Sequence, residues 1–536
     1  MGVFRYLIFG KWARPTQPSW LKRYHEEKNS DLCGTYAIGA AVSSTLSELP
    51  ATPSADKARL DRSLVGGIAW TGGTKWLAQI ISWASTLVIV RLLTPEDYGL
   101  VGMASVYFGL VSMFNEFGLS SAVVTLHKLT GKQVAQINTL SVFLGMFCFV
   151  FSCVAAIPIA LFYRAPQLQW VITVMSISFM IMAFQSIPHA LLQRELRFKF
   201  LAVVEGCQTI VQSLAMVIFA LLGFGYWTLV IGSLLGAIVS ASLVCLWRSQ
   251  GFARPCFQSL QDAVAFSRDI LVSRLSWYTY SNADFLVAGR VLGKAALGAY
   301  TFAWTLACEP VKQISALISR VTPAVFSAVQ TDYAALRRYL LSLTEVIALV
   351  TFPAAFGLVL VAEEFVLLAM GQKWLAVIAP LRLLAVYASF QSISTLLSQI
   401  LRVTGESRFA MWNALLGAVL LPSAFYVGSH WGTVGIAVAW PLIHPLVTFP
   451  VYWRVFHKID LSVRRYLQSL WPALSGSLFM VVAVWVIREI LPSIWPLPLR
   501  FGLQVLGGSA AYILTLTALH RERLYAFHQV LKKVRG

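Results

Sequence analysis

The chain has 536 residues, of which 58% are hydrophobic, 13% aromatic and only 12% charged, with a mean hydropathy of +0.71. A soluble domain carries about twice that share of charge, so a soluble enzyme, a disordered chain and a small disulfide scaffold are all excluded. The 42 Lys and Arg against 23 Asp and Glu give a net charge of +19; in a membrane protein this reads as cationic cytoplasmic loops rather than a nucleic-acid surface, and no nucleic-acid-binding motif is present.

Residues 1–62 are polar and mixed in charge. They lack a basic segment followed by an apolar core and a small-residue cleavage site, so they do not read as a signal peptide. The start interleaves Arg5, Lys11, Arg14, Lys22 and Arg23 with Phe4, Tyr6, Trp12 and Trp20. That pattern suits a segment lying on an anionic inner leaflet. The low hydrophobicity fits better a disordered cytoplasmic tail, or residues added by an upstream start codon.

From Ser63 onward, long apolar runs alternate with short polar turns. A helix needs about 20 residues to cross the hydrocarbon, and fourteen runs of that kind follow: 64–90, 99–122, 135–161, 168–190, 200–222, 225–247, 264–291, 296–325, 339–362, 376–400, 408–428, 433–456, 466–488 and 499–519. The sequence therefore predicts an all-α polytopic membrane protein. With the tail placed inside, each inner connection holds at least two Lys or Arg and each outer connection at most one. This asymmetry predicts cytoplasmic N- and C-termini, the latter in a basic tail over 521–536. Cys33, Cys148, Cys153, Cys207, Cys245, Cys256 and Cys308 form no CxxC, and the eight histidines have no ligand spacing, so neither disulfides nor a metal is expected. No connection is long enough for a folded extramembrane domain, and no P-loop is present, which excludes an ATPase within the chain. A polymerase or ligase would require a large external loop, and a cation-coupled antiporter would favour a cavity dominated by carboxylates.

A repeat joins the first and seventh spans. Lys75, Arg91-Leu92-Leu93 and Gly99 recur 199 positions later as Arg274, Arg290-Val291-Leu292 and Gly298. Because six spans separate the copies, the two units share one orientation. The expectation is two pseudo-symmetric six-helix lobes, 63–250 and 251–457, around a central cavity, with helices 13 and 14 (458–520) appended.

Charges inside spans are costly, about 2.5–3.5 kcal/mol each on insertion scales, and persist where they meet a partner or a wet cavity. Lys75 and Arg274 fall near the midplane and Lys312 in the cytoplasmic half. Three convergent cations suit an anionic ligand, phosphate above all; the alternative is pairing with carboxylates such as Glu309 or Asp269. Trp277, Tyr278 and Asn282 extend the Arg274 stripe as either a sugar-facing wall or a helix–helix interface. Asp284, Glu309 and Glu116 are the deepest carboxylates, able to couple transport to a proton or sodium gradient or to neutralise neighbouring cations. Arg290 and Arg382, at span ends, read as snorkelling anchors. Gly72-Gly73 and Pro310 interrupt spans beside the cationic positions.

The stretches Arg91-Leu92-Leu93-Thr94-Pro95-Glu96-Asp97-Tyr98-Gly99, Phe114-Asn115-Glu116-Phe117-Gly118-Leu119-Ser120-Ser121-Ala122 and Asn282 to Gly293, continuing Leu297-Gly298-Ala299-Tyr300, resemble the polysaccharide transporter (Wzx-type) branch of the multidrug/oligosaccharidyl-lipid/polysaccharide exporter superfamily. The resemblance covers roughly 63–520. It implies a bacterial inner-membrane flippase, not an enzyme, with no cofactor. Such a protein would move undecaprenyl-diphosphate-linked oligosaccharide from the cytoplasmic to the periplasmic leaflet, as part of a surface-polysaccharide pathway with its polymerase and export machinery. It also implies an alternating-access cycle powered by an ion gradient or the membrane potential. In this reading Lys75, Arg274 and Lys312 hold the diphosphate while the polyprenyl tail stays in lipid.

Overall fold

A computed structural model describes residues 78–116, 119–125, 129–254, 275, 278, 281–319, 322, 326–327, 329–492 and 494–521. The polar N-terminal tail, most of the C-terminal tail, the beginning of the first expected span and most of the seventh lie outside these residues.

The described chain is helical throughout and carries no strand. Helix α1 covers Ala78–Leu92. It is followed by α2 Pro95–Glu116, α3 Leu119–Thr125, α4 Gly131–Tyr163, α5 Leu168–Arg194, α6 Phe198–Leu221 and α7 Trp227–Trp247. The seventh span ends as α8 Ala283–Val287 and a π turn, Ala288–Leu292; then come α9 Lys294–Ser319 and α10 Tyr333–Ala369. A 3-10 turn, Gln372–Val377, leads into α11 Ile378–Val403, α12 Ser407–Gly428, α13 Gly432–Lys458, α14 Val463–Ile490 and α15 Leu497–Leu519. Each expected span therefore has a helical counterpart among the described residues, usually within a few positions. The second, read as one run over 99–122, begins at Pro95 and is covered by α2 and α3, with 117–118 outside the described residues.

Ten described segments are long and apolar enough to cross a membrane, the one over Arg408–Lys458 containing both α12 and α13. Large apolar side chains stand exposed along them, among them Phe147, Leu161, Leu214, Trp412, Leu446, Phe449, Leu478 and Leu506. An exposed belt of this size is a lipid-facing surface, since water would not tolerate it. The protein is a multi-pass membrane protein.

Local chemistry sets the helix starts. Thr130 and Gln133 exchange side-chain-to-backbone bonds at the start of α4, a capping box. The Asp332 carboxylate accepts from the amides of Ala334 and Ala335 at the start of α10. Thr94 and Asp97 cap α2 in the same way, with Thr94 N donating to Asp97 Oδ2 at 2.9 Å and Asp97 N to Thr94 Oγ1 at 3.3 Å. Pro95 stands first in that helix, where no amide is needed, and Glu96 and Asp97 face the positive end of its dipole.

The described helices form one compact bundle in which two groups of neighbours follow each other along the chain. In the first, α4 lies on α5, α5 on α2 and α7, and α6 on α7; in the second, α9 and α13 lie on α11, α10 on α11, and α12 on α13. The appended α14 and α15 pack on each other and on α10. At the end opposite the 91–98 turn, Glu406 ties the second group together: its carboxylate accepts from Lys458 at 3.1 Å and Arg454 at 3.2 Å. The bonds from Lys458 and then Arg454 hold that carboxyl below the usual range.

The groups meet chiefly where α2 crosses α9. A methyl at Gly99 would overlap the carbonyl of Lys294, and one at Gly298 the carbonyl of Pro95. The two contacts are reciprocal and related by the 199-residue step of the sequence repeat. Small residues let helix backbones touch in membranes, where dispersion and interhelical hydrogen bonds replace the hydrophobic drive. A backbone carbonyl cannot rotate aside, so Gly99→Ala or Gly298→Ala should force the helices apart. Maleimide labelling of a cysteine placed at Val90, in a cysteine-free background, should then rise roughly tenfold, the response to about 1.4 kcal/mol of bias toward separation.

Candidate functional site

Around the glycine crossing lies a set of contacts between the two groups. The Arg91 guanidinium donates to the carbonyls of Leu368 and Ala369 at the end of α10. Trp374, fully buried, donates its indole N–H to the Val90 carbonyl at 2.9 Å, and Lys373 reaches the Leu92 carbonyl at 3.3 Å. Lys294 pairs with Glu96 at 2.7 Å. Tyr98 meets Phe302 and Trp374 edge-on, ring centroids 5.4 Å apart in each case, and such pairs add about 0.5–1.5 kcal/mol beyond area burial. Arg290, the repeat mate of Arg91, lies with its guanidinium 5.2 Å above the Phe162 ring, near the end of α4. Thus Arg91 reaches from the end of α1 to the end of α10, and Arg290 from the π turn to the end of α4. Gly293, at φ +85°, supplies the left-handed turn that leads into α9. Nearly every residue of the Arg91–Gly99 motif has a structural task in this clasp. It marks the clasped end of the bundle.

Within the second group a carboxylate lies at the centre of an aromatic core. Asp284, at the start of α8, is fully buried. Tyr300 Oη donates to its Oδ2 at 2.8 Å, and Trp440 Nε1 approaches both that oxygen at 3.1 Å and Tyr300 Oη at 3.0 Å. The other oxygen accepts the Phe285 amide at 2.9 Å. Trp304, Tyr387, Phe425 and His444 surround Trp440, with centroids 4.6–5.9 Å from it. Further along α9, Lys312 Nζ lies 2.8 Å from Glu309 Oε1 and 5.5 Å from the Trp304 ring. Both charged side chains remain more than two-fifths accessible.

The expected site residues fall into three sets. Lys75, Arg274 and Trp277 lie outside the described residues. Lys312 and Glu309, listed separately by sequence as ligand and ion candidates, are brought together as one accessible pair. Asp284 is drawn away from both into the core. Tyr278 donates to the Val106 carbonyl at 2.9 Å and fills the notch left by Gly109, linking the seventh span to α2. The Asn282 amide turns back on its own helix, to the Tyr278 carbonyl at 3.1 Å. Glu116 is half-buried at the end of α2. Sequence reasoning missed Tyr300 and Trp440 as partners of Asp284, since nothing in the linear pattern joins positions 284 and 440. It also missed Trp374, whose signal was an aromatic beside Gly371 and Lys373 in a short external turn.

The chemistry around Asp284 is that of a carboxylate held by two side-chain donors. Trp440→Phe or Tyr300→Phe should each cost about 1–3 kcal/mol by leaving a buried oxygen under-satisfied. The thermal unfolding midpoint in detergent should fall in each variant, and the double variant should fall by less than the sum, because the donors share one acceptor.

The sequence profile of the polysaccharide biosynthesis protein family matches residues 88–379, a stretch that takes in the clasp motif, Asp284 and the Lys312–Glu309 pair. The lipopolysaccharide biosynthesis protein WzxC of Escherichia coli strain K12 is 23% identical over 424 residues, covering 77% of this chain and 85% of that protein. The teichuronic acid biosynthesis protein TuaB of Bacillus subtilis strain 168 is 25% identical over 479 residues, covering 85% and 96%. Among solved structures, the lipid II flippase MurJ in an inward closed conformation superposes with a TM-score of 0.68 at 13% identity, over 85% of this chain and 99% of that one. That likeness is one of fold. The chain belongs to the polysaccharide biosynthesis protein family.

Proposed function

We propose that the protein is a flippase that moves undecaprenyl-diphosphate-linked oligosaccharide repeat units from the cytoplasmic to the periplasmic leaflet for surface-polysaccharide biosynthesis. The observation that carries this reading is the clasp: helices tied at one end across a reciprocal glycine contact, with the accessible Lys312–Glu309 pair further down α9. A transporter that opens alternately to each side needs such a closure, and it must be separable. The names of the matched relatives, lipopolysaccharide and teichuronic acid biosynthesis proteins, and of the structural neighbour, a lipid II flippase, support the same substrate class.

In this reading the groups are the two six-helix lobes, and the clasped end is periplasmic because the connections there are poor in Lys and Arg. The termini are cytoplasmic and the membrane is the bacterial inner one. The polar head enters between the lobes from the cytoplasmic side. An accessible Lys312–Glu309 pair in the hydrocarbon belt must face water rather than lipid. A diphosphate arriving there competes with Glu309 for Lys312, while Lys75 and Arg274 supply the deeper charge. The polyprenyl tail remains in the bilayer. The oligosaccharide meets Trp277, on a wall that Tyr278 and Asn282 steady through their bonds to α2 and to their own helix, and opening of the clasp releases the head outward. A binding change between the two states is required; a proton or sodium gradient acting through Asp284, Glu309 or Glu116, or the membrane potential, provides it.

Deletion of the gene should leave oligosaccharide-diphosphate lipid on the cytoplasmic leaflet and remove surface polysaccharide. Single repeat units on the periplasmic leaflet would instead sink the proposal and point to a polymerase or ligase. Lys75→Ala, Arg274→Ala and Lys312→Ala should each abolish export at normal protein level in the membrane. Normal export in any of them removes that residue from the site.

A further inference from the structure

Near the clasped end, α10 carries two adjacent carboxylates that face different surroundings. Glu363 is accessible and meets two guanidiniums: Arg382 Nη2 of α11 and Arg488 Nη2 of α14 each lie 3.4 Å from its Oε2. Glu364 is 3% exposed. Its Oε1 accepts Gln504 Nε2 of α15 at 3.2 Å, and Arg488 Nε stands 3.9 Å from the same oxygen. The second oxygen of Glu364 has no hydrogen-bond partner among the described residues. Neither does the amide oxygen of Gln504, which is 1% exposed. Arg500, one turn before Gln504 on α15, also has an Nε without a partner. Sealing two acceptors away from water without donors is costly.

One proton removes both deficits. We propose that Glu364 and Gln504 form a proton-binding site. A proton on Glu364 Oε2 donates to Gln504 Oε1 and, with the Nε2-to-Oε1 bond already present, closes a cyclic acid–amide pair. The proton enters from water at the accessible Glu363–Arg488 rim and leaves by the same route; an O–H bond forms or breaks and nothing else changes covalently. With the proton bound, the closed pair with Gln504 strengthens the tie of α10 to α15, beside the Tyr512-to-Leu349 bond. Without it, the Glu364 charge adds to the Glu363–Arg488 tie of α10 to α14. One turn further on, the same helix presents the Leu368 and Ala369 carbonyls to Arg91. Proton occupancy therefore shifts the balance of the two ties on the segment that the clasp grips. Use of this switch in transport rests on the flippase reading; the site itself does not.

The test is infrared difference spectroscopy of the full-length protein in liposomes, acid minus alkaline buffer. The wild type should show the carbonyl band of a protonated carboxyl, lost in Glu364→Gln. That variant preserves the ring as an amide–amide pair and so preserves the fold. In Gln504→Met, of similar size but without the amide, the band should persist and shift to the position of a carboxyl lacking that partner. A spectrum left unchanged by Glu364→Gln overturns the site and leaves a plain ion pair with Arg488. A band unmoved in Gln504→Met overturns it as well, and this second variant decides the matter if the first fails to insert. Export is no part of the readout, so failure of the flippase reading and failure of this site are separate outcomes.

Discussion

The contact of two helix backbones at Gly99 and Gly298 governs the rest of the arrangement. Helices crossing with side chains at those positions would be held apart, and the short bonds around them would not form. Arg91 could not reach the carbonyls that end α10, and Trp374 could not reach Val90. In lipid the hydrophobic effect does not press helices together, so close approach and hydrogen bonds must do so. The clasp uses both, and each of its polar ties is modest alone. A closure made of many small terms around one steric condition is firm when formed and separable when a competing interaction appears.

The Arg91–Gly99 stretch shows how a family motif resolves into physical tasks. Thr94 and Asp97 start the helix, Pro95 sets its first turn, and Glu96 meets Lys294. Tyr98 packs on Phe302 and Trp374, and Gly99 admits the opposing backbone. The second copy keeps the glycine and the arginine but replaces the capping pair with Gly293 and its positive φ. The repeat is therefore conserved where backbones touch and relaxed where only a helix start is needed.

Much of the fold could be read directly from the chain. Hydrophobic length places a span whatever surrounds it, so α5 begins at Leu168, as the reading from sequence had it, and α15 runs over Leu497–Leu519 against an expected 499–519. The site was legible only in part. Asp284 and the Lys312–Glu309 pair were visible as charges inside spans, and the Gly99–Gly298 recurrence as a spacing. What those groups touch depends on pairings between distant positions: Asp284 with Trp440, Gly99 with Lys294, Glu364 with Gln504. Glu364 itself was hidden because the expected span stopped at 362, which left both carboxylates in the outer connection, whereas α10 runs on to Ala369.

The tie at Glu406 has a mechanical consequence. Because Lys458 and Arg454 hold its carboxyl low, the bond is complete above the ordinary carboxylate range and is lost only as pH falls through the lowered value. At neutral pH it is fully charged and links the start of α12 to the last turns of α13. Arg337 adds another tie, to Asp460 at 3.0 Å. The second group is thus fastened to itself at the end farthest from the clasp. Both ties are exposed to water, so salt screens them, and low pH weakens the one at Glu406 from its acid side.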